Sequence, residues 1–244
     1  MKLSGNTILI TGGATGIGFS LAGRMIKLGN TVIICGRRED KLSEAAGQLP
    51  GLQFIACDLT VAAEREKLAE WVLGKFPETN VLINNAGIQN TLDLRLPVDA
   101  AALQEECNIN LVAPVHLTSL FTDHFTKKEF AAIINISSGL AFTPIAILPV
   151  YCATKSALHT YTLSLRHQLS HTSIKVFELI PPTVDTGLDH GERDRRHQAD
   201  RGIKPDGFAE EAINALRDDI YEAPVGMAVN LYQKREGLFN MLNH

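Results

Sequence analysis

Ser138, Tyr151 and Lys155 are the residues of this chain whose types and spacing can do chemistry. Pro149 marks a helix start, and Tyr151 and Lys155, four residues apart, would then project from one face of that helix. An isolated phenol titrates near pH ~10, and an ammonium beside it favours the phenolate, so Lys155 can bring Tyr151 into the range of a working acid–base group. Ser138, at the end of the apolar run AAIINISS, can hold a substrate oxygen against that phenol. Together they make the proton-transfer half of carbonyl–alcohol interconversion. Tyrosine and lysine also meet at this spacing by chance, so the assignment needs support elsewhere in the chain.

Support comes from the elements that must position these residues. Asn6 to Thr11 (NTILIT) reads as a strand buried on both faces of a parallel sheet. Gly12, Gly13, Gly16 and Gly18 follow in TGGATGIG, and FSLAGRMIKLG continues as a helix that stops at Gly29. Strand, glycine turn and helix N-terminus let backbone amides approach a pyrophosphate, which points to dinucleotide binding. The second strand, TVIICG, ends in Arg37 and Arg38 rather than in an acid, and an arginine there can pair with a 2′-phosphate. NADP(H) is therefore expected over NAD(H). A third strand, LQFIACDL, leaves Asp58 just past its end to receive the adenine amine, and a fourth, VLINNAG, delivers Asn84, Asn85, Ala86 and Gly87 to the ligand-binding edge. The repeated alternation of strand and helix predicts an α/β, doubly wound fold.

Farther on, Leu103 to His124 reads as one long helix with Asn108, Asn110 and Pro114 inside it; Asn110 fills a kink or belongs to a water relay. Residues 183–206 form a charged, glycine-bearing loop suited to substrate choice, with Arg193, Arg195 and Arg196 balanced by Glu192, Asp194 and Asp200. A helix follows, and a short strand is expected at Gly226 to Leu231. Leu140, Phe142, Ile145 and Ile147 serve as an apolar pocket wall or as core.

At 244 residues the chain is expected to form a single domain, 1–244. Its net charge of −4 offers no positive field for nucleic acid. No stretch is long and apolar enough for a membrane, and the N-terminus lacks a signal peptide, so a cytoplasmic location is expected. Cys35, Cys57, Cys107 and Cys152 have no metal-ligand spacing and are read as reduced. His167 and His171 have no acidic third ligand nearby, and they suit a helix C-terminus better than a metal.

With these residues assembled, the chain resembles the single-domain short-chain dehydrogenase/reductase family over almost its whole length. TGGATGIG is similar to the family's cofactor turn, NNAG to its strand-stabilising motif and YCATK to its active site, and Ser138 precedes Tyr151 at the family's separation. The overall look is nearest to the DltE-like oxidoreductases. The resemblance implies a three-layer Rossmann fold with a parallel sheet of six or seven strands and helices on both faces. It makes Tyr151 the general acid–base, Ser138 the residue that orients the carbonyl, Lys155 the ribose ligand and tuner of Tyr151, and Asn110 the completion of a proton relay. Gly12, Thr15, Gly16, Ile17 and Gly18 fall at cofactor positions, Ile17 through its backbone. Asp58 and Leu59 match adenine contacts, Asn85, Ala86 and Gly87 ribose contacts, and Pro181, Val184 and Thr186 nicotinamide contacts. Pro182 departs from the pattern, standing where the family has glycine. The implied activity is hydride transfer between NADP(H) and a small-molecule carbonyl or alcohol, in a homodimer built on the helices near Leu103–His124 and Tyr151–Ser170, with a tetramer left open. A non-enzymatic NADP-binding regulator on the same fold is the alternative.

Overall fold

A computed structural model describes residues 1–189 and 202–243. The middle of the expected substrate loop, with its three arginines and three acids, lies outside the described residues.

The continuous apolar runs become the central strands. β1 (Thr7–Thr11), β2 (Thr31–Gly36), β3 (Gln53–Ala56), β4 (Thr79–Asn84), β5 (Ala131–Ile136), β6 (Ile174–Ile180) and β7 (Glu222–Pro224) form one sheet in the order β3-β2-β1-β4-β5-β6-β7. Every pairing is parallel. Side chains alternate between the two faces, and each face has its own core. Ile8, Ile10, Ile34, Ile134 and Phe177 pack with α1 (Gly16–Lys27), α2 (Glu39–Gln48) and α7 (Pro205–Arg217). Leu9, Ile33, Leu82, Ile133 and Val176 pack with α3 (Ala62–Lys75), α5 (Ala113–Thr126) and α6 (Pro149–Gln168). The result is the three-layer, seven-stranded Rossmann arrangement with helices on both faces.

Two elements differ from the sequence expectation. The long helix is three pieces: α4 (Ala100–Cys107), a π-helical segment Asn108–Val112, and α5. Pro114 falls in the first turn of α5, where its missing N–H and fixed φ are tolerated, and the wider π turn makes room before it. The strand expected at 226–231 is not there. β7 lies earlier, the last ladder bond runs from Val225 N–H to the Ile180 carbonyl (3.1 Å), and Gly226 at φ +54° reverses the chain into α8 (Ala228–Lys234), followed by α9 (Phe239–Leu242). No helix among the described residues is long and apolar enough to cross a membrane.

Candidate active site

The strand order reverses between β1 and β4, and the cleft of this fold opens there, at the carboxyl ends of the strands. Its volume is about 720 Å³. Gly12, Thr15, Gly16 and Ile17 line one wall. Gly12 sits at φ +64°, and a Cβ on it would stand 2.9 Å from Ala86 Cα. Gly18 lies behind the turn rather than on its surface: a Cβ there would come 2.4 Å from the Gly12 carbonyl oxygen and 2.5 Å from Asn85 Nδ2. Asn85 fastens the turn from across the switch point, donating from Nδ2 to the Thr11 and Gly12 carbonyls (2.9 and 3.0 Å). Thr15 makes no side-chain capping bond at the start of α1. The side-chain-free backbone and the helix N-terminus therefore form a cradle fit for a pyrophosphate.

Arg37, Arg38 and Leu59 line the next part of the cleft. Arg37 does not point freely into it: Nη1 pairs with Glu105 Oε1 of α4 at 2.5 Å. Asp58 is not a lining residue; its Oδ1 accepts from Thr60 N–H and Oγ1 (2.9 and 2.8 Å). Arg65, buried beneath, donates to the Leu59 carbonyl and fixes this corner. Cys35 and Cys57 line the same region as free thiols. Burial, with the nearby Glu64 and Asp58 charges, pushes the Cys57 thiol up to about 12, and burial raises Cys35 as well, so neither is a ready thiolate.

Asn85, Ala86, Gly87, Ser138, Tyr151 and Lys155 surround the other end, closed by Pro181, Pro182, Val184 and Thr186. Ser138 Oγ accepts from Leu140 N–H (3.1 Å), which leaves the hydroxyl proton for a substrate oxygen. Lys155 is buried, donates from Nζ to the Ile136 carbonyl (2.8 Å), and holds Nζ 5.8 Å from the Tyr151 ring centroid. Burial lowers its pKa to about 8, against an opposing pull from Glu178, so at neutral pH it remains an ammonium. Asn110 stands behind the cleft wall in the π segment. Its Oδ1 accepts from Ile88 N–H (2.9 Å), and Nδ2 donates to the Ile88 carbonyl (2.9 Å) and Thr154 Oγ1 (3.1 Å). A Cβ on Gly87 would stand 3.3 Å from Asn110 Oδ1 and 3.6 Å from Lys155 Nζ, so a glycine here keeps space open between those groups and the cleft.

Several lining residues escaped the sequence reading. Lys41 follows the arginines on α2, three residues past the pair singled out for the phosphate. Leu231 reaches the cleft from α8, in the segment expected as a strand. Leu188 completes an apolar side with Leu140, the one member of the expected apolar wall that lines the cleft among the described residues. Phe142 is core, edge-on to His159 and Tyr232, while Ile145 packs with Leu148, Tyr151 and Cys152. Cys152 is buried outside the lining, and burial raises its thiol pKa.

A family model described as short chain dehydrogenase matches residues 6–197. The chain is 48% identical over 219 residues to the uncharacterized oxidoreductase DltE of Bacillus subtilis (strain 168), covering 89% of this chain and 87% of that protein. A short chain dehydrogenase/reductase from Burkholderia phymatum, solved with NAD, superposes with a TM-score of 0.89 at 20% identity over 100% of this chain and 97% of that one. The 3-ketoacyl-(acyl-carrier-protein) reductase from Brucella melitensis, solved with NADH, superposes at 0.79 with 28% identity over 88% and 91%. Matched along most of its length and carrying the glycine turn and the tyrosine–lysine helix at one cleft, this chain belongs to the short-chain dehydrogenase/reductase family of oxidoreductases.

Proposed function

We propose that the protein is an NADP(H)-dependent oxidoreductase that interconverts a small carbonyl compound and its alcohol. The observation that carries this reading is the meeting of Ser138, Tyr151 and Lys155 in the cleft that the glycine turn opens. Gly12, Thr15, Gly16 and Ile17 would hold the pyrophosphate on backbone amides, and Asn85, Ala86 and Gly87 the nearer ribose. Leu59 would flank the adenine, with Asp58 just outside the lining beside it, and Pro181, Val184 and Thr186 the nicotinamide. When bound, the cofactor supplies or accepts the hydride. Ser138 donates a hydrogen bond to the substrate oxygen and orients it toward Tyr151. Tyr151 gives its phenolic proton to that oxygen in the reductive direction and takes it back in the oxidative one. The Lys155 ammonium stabilises the phenolate between those steps. Asn110 holds the Ile88 backbone and Thr154 against this group and would complete a proton path to solvent.

The choice of NADP(H) rests on Arg37 and Arg38 at the end of β2, supported by Lys41 in the first turn of α2; the Brucella melitensis reductase was solved with NADH, so the fold alone does not decide it. Leu140, Leu188 and Leu231 favour a substrate with an apolar portion. A single domain working as a homodimer completes the reading: Val112 and Leu163, on the helices expected to pair, are both exposed.

The test is a fluorescence titration with NADPH and NADH, followed by a screen of carbonyls and alcohols. NADPH should bind more tightly, and Arg37→Ala should weaken NADPH by roughly tenfold or more while leaving NADH nearly unchanged. Equal binding of the two nucleotides, unmoved by Arg37→Ala, would remove the NADP assignment. Binding without turnover of any compound would favour the non-enzymatic regulator.

A further inference from the structure

Beneath the helix that carries Tyr151 runs a row of polar side chains outside the cleft. Asn84, Asn135, Glu178 and Glu222 are in register across β4, β5, β6 and β7, each paired with the next. Alternation turns all four to one face of the sheet. It is the α6 face, because Leu82, Ile133 and Val176, two residues earlier on their strands, pack in the same layer as Leu165 of α6. From α6 comes a matching stripe, Lys155, His159, Thr162 and Arg166, at the spacing of one helix face. Asn135 Nδ2 donates to Thr162 Oγ1 (2.8 Å), His159 Nδ1 meets Glu178 Oε2 (2.7 Å), and Arg166 Nη1 pairs with Glu222 Oε1 (2.8 Å). Lys155 Nζ reaches the Ile136 carbonyl, one residue past Asn135.

Glu178 is the unusual member. It is fully buried, His159 engages Oε2, and Oε1 has no hydrogen-bond partner. A buried carboxylate with a bare oxygen is strongly unfavourable unless a cation compensates it. The charged and titratable groups around it are Lys155, His159 and Arg166 from α6, Glu222 from β7 and Tyr232 from α8. Arg166 and the Tyr232 hydroxyl occupy the two oxygens of Glu222 (2.8 and 2.7 Å). Arg166 is thereby balanced, whereas the Lys155 ammonium contacts a carbonyl rather than a carboxylate. Leu179 faces Ile136 in the β5–β6 register, so Glu178 lies one strand across and one residue back from the residue whose carbonyl holds Nζ, a diagonal of about 6 Å between backbone positions. His159, Glu178 and Glu222 do bring ligand atoms within 4.8 Å of one another. A divalent ion there would have to displace Arg166 and Tyr232, and the cluster already contains cations, so a metal is the poorer fit.

We propose that Glu178 is a positioning residue for the reaction: its buried carboxylate, steadied by His159, is the counter-charge that keeps Lys155 an ammonium ion beside Tyr151. The role in catalysis rests on the function proposed above; the charge coupling does not. Burial alone drives Lys155 toward the neutral amine, and Glu178 opposes it. Without that carboxylate the amine would dominate nearer neutrality, and Tyr151 would lose the charge that supports its phenolate.

The experiment is an NMR titration of isotope-labelled lysine in the full chain without cofactor, with Lys155 assigned by the signal that disappears in Lys155→Met. The wild-type midpoint should lie at about 8. In Glu178→Gln, which keeps the shape and removes the charge, it should fall by about one pH unit or more. Glu222→Gln alters the same row one strand farther away and should move it less than half as far. An unmoved midpoint in folded Glu178→Gln, or an equal shift in Glu222→Gln, would overturn the proposal. If Glu178→Gln is too unstable to titrate, denaturation of Lys155→Met and of the double variant decides: losing Glu178 should cost far less once Lys155 is gone, and equal costs would overturn it. In turnover, the alkaline fall of kcat should begin about one pH unit earlier in Glu178→Gln. A shifted midpoint in a protein that turns over no carbonyl would leave the coupling standing and refute the enzyme reading instead.

Discussion

Glu105→Gln should tighten NADPH binding, although Glu105 belongs to none of the motifs. Arg37 pairs with Glu105 across the cleft mouth, at 49% and 39% side-chain exposure. In the proposed complex the Arg37 guanidinium turns to the 2′-phosphate, so the ion pair must first be given up. A pair this exposed is worth about 0.2–1 kcal/mol. Removing the carboxylate should therefore lower the NADPH dissociation constant by roughly 1.4- to 5-fold. The gain should shrink at high salt, where the pair is already screened. NADH has no 2′-phosphate, and its affinity should stay the same. The assay is a paired titration of both nucleotides at low and high ionic strength, with wild type and Glu105→Gln side by side. Weaker NADPH binding in the variant would mean that Glu105 aims Arg37 rather than competing for it. An equal gain for NADH would mean a general charge effect, and either result refutes the reasoning.

The glycine turn and the buried lysine give two further expectations. In Gly18→Ala the new Cβ meets backbone at Gly12 and Gly13 (2.4 and 2.9 Å) and the Asn85 amide, none of which can rotate away. Overpacking of about 1–3 kcal/mol should lower Tm by roughly 5 °C and weaken nucleotide binding at least tenfold; wild-type affinity in the variant would show the turn to be slack. Lys155 has its pKa lowered from 10.5 to about 8 in the fold. Both states are protonated below that range, and between about 8 and 10.5 the unfolded chain binds more protons at this lysine, so the Lys155 contribution to stability should rise with pH through that window, while the raised Cys35, Cys57 and Cys152 thiols pull the other way. Lys155→Met should lack that contribution and be more stable than wild type at pH 7 by on the order of 3 kcal/mol, a gap that closes toward pH 10.5, measured by urea unfolding without cofactor. A stability gap between Lys155→Met and wild type that fails to narrow across the window would contradict the assignment.

How much of this was legible depended on the range of the interaction. NTILIT, VLIN and AAIINI are short apolar runs bounded by glycine or polar residues, and burial on both faces is the one way such strands are satisfied, so β1, β4 and β5 follow from sequence. The glycine turn and the pair Tyr151 and Lys155 are local too, fixed by helix and turn geometry. GMAVNL alternates like a strand, yet the Pro224 end of β7 and the reversal at Gly226 make it helical. The π turn at Asn110 has no sequence mark because it is held by bonds to Ile88 and Thr154, 22 and 44 residues away. Arg37 and Glu105 meet over 68 residues. Asn135 and Glu178 did carry a signal, each a polar residue inside an apolar strand, but their alignment with Asn84 and Glu222 depends on a register that no single strand encodes.

The central claim is that Tyr151 moves the proton while hydride passes between NADP(H) and a carbonyl carbon. Its most direct test uses NADPH deuterated at the transferred position, a panel of carbonyl compounds and mass analysis of the alcohols formed. Wild type should place deuterium on the carbinol carbon of at least one product. Tyr151→Phe should still bind NADPH but lose the transfer by about a hundredfold or more. Undiminished transfer in Tyr151→Phe, or nucleotide binding with no labelled product from any carbonyl, would contradict the account.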